Sequence, residues 1–98
     1  MQYSYRYRKR VLSKIFSFYK NVTIKYKYAY SLDDMDRNIY DAFIGIYDIE
    51  KILPRREPTI QRWSGYYMAN CGKWYFAYTI DGNTITVVDA CHAQNMHD

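Results

Sequence analysis

Residues 59–97 constrain the fold most. Three runs rich in aromatic and β-branched residues, 59–68, 73–80 and 84–91, are separated by the turn signals Asn70-Cys71-Gly72 and Asp81-Gly82-Asn83. Such side chains favour a pleated, half-buried surface, and the glycines supply the backbone freedom a tight reversal needs. The pattern predicts a meander of three antiparallel strands. Its last strand runs into His92 and then His97, the two histidines of the chain.

Upstream, Tyr3, Tyr5 and Tyr7 alternate with Ser4, Arg6 and Arg8, a period of two that predicts a half-buried strand over residues 2–8. Leu12, Ile15, Phe16, Tyr19, Val22, Tyr26 and Tyr30 then recur at helical steps, with Lys14, Lys20, Lys25 and Lys27 off that stripe. A run of lysines on a helix is most simply a solvated face. Ser31 opens a second helix: its hydroxyl and the carboxylates of Asp33 and Asp34 suit the exposed amides at a helix start. Met35, Ile39, Phe43, Ile46, Ile49 and Leu53 continue it to Pro54, and Gly45 within it suggests a close helix contact. The two helices predict an antiparallel hairpin.

The expected fold is therefore α+β and forms a single domain over residues 1–98. An N-terminal strand, a helical hairpin and a three-stranded meander make one antiparallel four-stranded sheet. The helices pack on one face and the other face stays partly open. A hydrophobic content of 49% supports a packed core. No stretch approaches the ~18 apolar residues of a membrane span, and none reads as a signal peptide, which points to the cytoplasm. Cys71 and Cys91 are too few for a disulfide scaffold, though pairing across the sheet stays open.

The net charge of +4 suits an anionic partner such as RNA, DNA or an acidic peptide. Paired zinc-ligand spacings are missing, so neither a metal site nor another cofactor is implied. Cys91 and His92 are adjacent on a strand and should point to opposite sides, which disfavours a nucleophilic pair. Acid–base cleavage of RNA fits the residue types better. It needs a base at the 2′-hydroxyl, an acid at the leaving oxygen and cations for the phosphorane. His92 and His97 are the acid–base candidates. Arg62, Lys73, Arg55 and Arg56 are candidate phosphate-facing cations, although the last two can instead pair with Glu57. Tyr66 and Tyr75 are candidates for stacking on bases, while Trp63 and Trp74 suit the core.

Five segments carry a resemblance: Trp63-Ser64-Gly65-Tyr66, Phe76-Ala77-Tyr78, Asp81-Gly82, Ile85-Thr86-Val87-Val88, and Cys91 through His97. With the element order, they resemble the RelE/ParE superfamily of bacterial type II toxins. The resemblance implies a growth-inhibiting toxin neutralised by a small antitoxin protein. RelE-like members cut messenger RNA on the ribosome, whereas ParE-like members inhibit DNA gyrase without catalysis. By this likeness, His92 matches the family's histidine and His97 stands at its terminal tyrosine position. Expectation leans to the ribonuclease. The gyrase inhibitor is the alternative, followed by a toxin-like domain that only binds.

Overall fold

The computed structural model describes residues 3–52 and 57–96. In chain order it contains β1 (Ser4–Tyr7), α1 (Lys9–Lys25), α2 (Leu32–Ile46), β2 (Tyr67–Cys71), β3 (Trp74–Asp81) and β4 (Thr84–His92). Single 3-10 turns lie at Ile49–Lys51, Gln61–Trp63 and Ala93–Asn95. The strands form one sheet in the order β1-β4-β3-β2. The fold is α+β, with two helices and a four-stranded sheet.

The sheet is mixed, which corrects the antiparallel expectation. β2, β3 and β4 form the antiparallel meander, but β1 pairs parallel to β4, with Tyr7 opposite Val87. The parallel direction brings the chain past Val87, where Arg8 N–H donates to its carbonyl, and starts α1 beside the unpaired half of β4. Val11, Ile15 and Tyr19 of α1 are buried in the core shared with β4. Alternation within β1 reports which side chains are inward; it holds no information on strand direction.

The helices begin where the sequence places them and end earlier. Ser31 Oγ accepts from Asp34 N–H while Asp34 Oδ2 accepts from Ser31 N–H, a reciprocal capping box. α1 stops at Lys25, yet Tyr30 still packs on the core, which is why the apolar stripe outlasts the helix. α2 stops at Ile46, and a 3-10 turn delivers Ile49 to the core at 0% exposure. The close contact at Gly45 is with strand β2, where an added Cβ would lie 3.4 Å from that of Cys71. Leu53 and Pro54, the expected helix end, lie outside the described residues.

The first expected meander strand is shortened to Tyr67–Cys71. Residues 59–66 form a segment with a 3-10 turn that folds over the face opposite the helices. Ile60 and Trp63 from it bury with Met68, Ala77, Val88 and Cys91, so that face is closed, not partly open. The helix-side core holds Phe76, Tyr78, Ile85 and Val87 among others. Cys71 lies in that core and Cys91 in the opposite one, and both thiols are free. Burial pushes the Cys71 thiol up to about 12, with the nearby Asp48 charge adding to the effect.

Asp89 ties these layers together. A bulge in the β3–β4 ladder leaves Val88 without a partner between the pairs Ala77–Asp89 and Tyr78–Val87. The Asp89 carboxylate is 7% exposed; it accepts from Trp63 Nε1 at 2.9 Å and from Ala90 N–H at 2.9 Å. Lys14 Nζ of α1 lies 2.7 Å from its other side. Burial alone would raise the carboxyl pKa, but hydrogen bonds from Lys14, Trp63 and Ala90 outweigh it and hold it below the ordinary 3.8.

Replacing Asp89 by Ala strands the buried indole N–H of Trp63, and should lower stability in urea unfolding by about 1–3 kcal/mol. Because the folded pKa is depressed, the carboxylate's contribution is full above pH 3.8 and is lost as pH falls through the lower folded value. Acid unfolding followed by circular dichroism should therefore move to higher pH in Asp89→Asn. An unchanged acid midpoint would contradict the assignment.

Candidate functional site

Because β1 ends at Tyr7, the edge of β4 from Ala90 to His92 has no strand beside it. One stripe of α1 takes that place: Lys14, Ser17, Phe18 and Asn21, spaced three and four residues apart. Arg62 from the 3-10 turn of the opposite layer and Asn95 from the final 3-10 turn close the sides. Together they enclose a cleft of about 710 Å³, with Trp74 and His92 also in its wall.

His92 is held tightly. Its ring stacks on Phe18 at 4.0 Å and 12°, and meets the edge of Trp74 at 5.4 Å and 87°. Trp74 Nε1–H in turn donates to Tyr19 Oη at 3.0 Å. Burial raises the Tyr19 phenol pKa, although the indole hydrogen bond opposes that. His92 Nδ1 accepts from Gln94 N–H at 3.2 Å, which assigns the remaining proton to Nε2. Burial, then the positive charge of Lys73, lowers the imidazole pKa below 6.5. At neutral pH the ring is an uncharged donor. An imidazole in that state can hydrogen-bond a developing oxyanion without ionising.

The cations arrive by different routes. Lys14 is engaged with Asp89 and lines the cleft on its other side. Arg62 Nη2 donates to Cys91 Sγ at 3.3 Å, and its guanidinium lies 5.9 Å from the Trp63 ring centroid. Packing against an aromatic ring and a thiol leaves the Arg62 charge uncompensated by any printed carboxylate contact within the cleft wall. Ser17, Asn21 and Asn95 add exposed hydroxyl and amide groups.

Of the residues expected from sequence, the structure brings His92 and Arg62 together in this cleft. Lys73 is exposed at the β2–β3 turn, where its carbonyl accepts from Ala93 N–H at 2.9 Å; it does not line the cleft but acts on His92 through its charge. Tyr66 and Tyr75 pack half-buried on the opposite-face core, away from the cleft wall, since their rings cover Trp63, Ala77 and Cys91. His97, Arg55 and Arg56 lie outside the described residues. Sequence reasoning missed Ser17, Asn21, Asn95 and the role of Lys14. Their signal was a second, polar stripe on α1, which reads as an ordinary solvated face until β4 is seen to lack a neighbouring strand. Among the described residues, no three His, Cys, Asp or Glu side chains gather closely enough to hold a metal ion. No described helix is long and apolar enough to cross a membrane.

Nitrogen-15 NMR should show His92 Nδ1 unprotonated and Nε2 protonated at pH 7, with titration below 6.5. A histidine lowered in the fold stabilises above its unfolded value and withdraws that contribution as pH falls through the folded one. Titration above 6.5 would overturn the buried-donor assignment.

No protein-family model, curated protein or solved structure matches this chain.

Proposed function

We propose that this chain is a RelE/ParE-like toxin that arrests growth by cutting messenger RNA on the ribosome, and that the cleft beside β4 takes the scissile phosphate. The observation that carries this reading is the convergence of Lys14, Arg62 and the His92 ring at one open strand edge. The order of strand, two helices and meander also supports it, as does the net charge of +4.

In this mechanism the 2′-oxygen attacks phosphorus and passes its proton to His97, while the 5′-oxygen leaves with a proton from solvent. The products are a 2′,3′-cyclic phosphate and a 5′-hydroxyl. Lys14 and Arg62 attract the phosphate and offset charge on the phosphorane. His92 donates Nε2–H to one of its oxygens, a role that suits its uncharged state. The site of action is the cytoplasm, and a small antitoxin protein is the neutralising partner.

A second reading has its own support. His92 is buried and uncharged, and Tyr75 and Ala93 stand where the RelE-like branch carries arginine. A non-catalytic inhibitor of DNA gyrase needs none of these groups.

Controlled expression followed by mapping of messenger-RNA ends tests the choice. Wild-type protein should stop translation and leave new ends. Arg62→Ala should reduce cleavage about 10²-fold, the usual cost of one transition-state donor. His92→Phe keeps the stack on Phe18 while removing the donor, and should act similarly; His97→Ala should abolish cleavage. Growth arrest without new RNA ends, with loss of supercoiling by purified gyrase, decides for the second reading. No effect on growth at any expression level overturns both.

A further inference from the structure

The outer face of the helical hairpin carries apolar groups that neither core uses. Phe16 on α1 is 51% exposed, and Tyr40, Ile44 and Tyr47 on and just beyond α2 are 64%, 46% and 48% exposed. Positions 40, 44 and 47 lie within one arc of a helix surface. Phe43 on the flank of that arc joins it to α1, with its ring 5.9 Å from that of Phe16. The four residues therefore form a continuous patch across both helices. The inner stripe of α2, Ile39, Ala42 and Ile46, is already buried against the sheet, so core packing does not account for the outer one. Scattered exposed apolar residues need no explanation, but a contiguous patch across two elements marks a contact surface.

Charge around the patch names the occupant. α1 carries Lys9, Arg10, Lys14, Lys20 and Lys25 and no acidic residue. α2 carries Asp33, Asp34, Asp36 and Asp41 against the single cation Arg37. The acids gather towards the start of α2, and Asp33 and Asp36 share the arc of Tyr40 and Ile44. The Phe16–Phe43 contact sets the register of the antiparallel hairpin. Lys9, seven residues before Phe16, stands about 10 Å along α1 from it, beside the far end of α2. One surface thus has an acidic end, an apolar middle and a basic end. Such a surface is complementary to itself when turned through a two-fold axis, because each acidic end then meets a basic end.

We propose that this face is the contact surface of a homodimer. The two α2 helices cross in opposite directions, Tyr40, Ile44, Tyr47 and Phe16 of the two copies pack at the centre, and Asp33 and Asp36 of each copy face Lys9 and Arg10 of the other. The cleft beside β4 lies on a different stripe of α1, so both copies keep it open.

Sedimentation velocity over a concentration series tests this with the full chain. Wild-type protein should shift from monomer to dimer, and Ile44→Glu should raise the dissociation constant about 30-fold or more, as loss of an interface anchor does. Ile44 is exposed, so circular dichroism and the thermal midpoint should stay close to wild type. Two charge variants identify the geometry: Asp33→Lys with Asp36→Lys, and Lys9→Glu with Arg10→Glu. Each alone should weaken self-association, and an equimolar mixture should restore a dimer containing one of each. A monomer at every concentration overturns the proposal and leaves the face to a different protein. A dimer unaffected by Ile44→Glu, or charge variants that do not rescue one another, overturns it as well.

Discussion

The buried carboxylate of Asp89 is the interaction on which the rest of this fold depends. It is the one point where α1, the sheet and the 59–66 segment meet through polar atoms, by way of Lys14, Ala90 and Trp63. A buried carboxylate without partners would cost several kcal/mol. Here its partners come from three elements distant in sequence, so satisfying it requires all three to be in place. Trp63, at 1% exposure, brings a large apolar surface along with the hydrogen bond. The segment carrying it therefore closes the second face of the sheet.

That arrangement also makes the cleft. The short β1 leaves the carboxyl half of β4 without a strand neighbour, and the Asp89 contacts hold α1 on one side of this edge and Arg62 on the other. The stack of His92 on Phe18, with Trp74 across its edge and Tyr19 behind, forms a rigid wall. Rigidity has a chemical consequence. A ring held by two aromatic neighbours and a backbone hydrogen bond offers its remaining N–H in one direction, and its low basicity keeps it uncharged beside the cations.

Much of this was legible in the residues, and the failures share a cause. The Ser31 cap, both glycine-containing turns of the meander and the inward face of β1 follow from local chemistry, and each appears where expected. The direction of β1 does not follow, because alternation is the same read either way. Residues 59–66 look like a strand since Ile60, Trp63 and Tyr66 are the side chains strands prefer; they are buried instead as a cover over a sheet face. The polar stripe of α1 was visible, but its meaning depended on an absent strand beside β4. His92 was correctly singled out by residue type. Its tautomer and lowered basicity came only from Phe18, Trp74, Lys73 and Gln94, which packing brings to it.

The most direct test of the central claim, that RNA binds at the open edge of β4, is backbone NMR of the protein titrated with a short single-stranded RNA whose 2′-hydroxyls are methylated to block cleavage. The account predicts shift changes clustered at Lys14, Ser17, Phe18 and Asn21 of α1, at Ala90–His92, and at Arg62 and Asn95. Changes confined to Tyr66 and Tyr75 on the opposite face, or no changes at all, would contradict it.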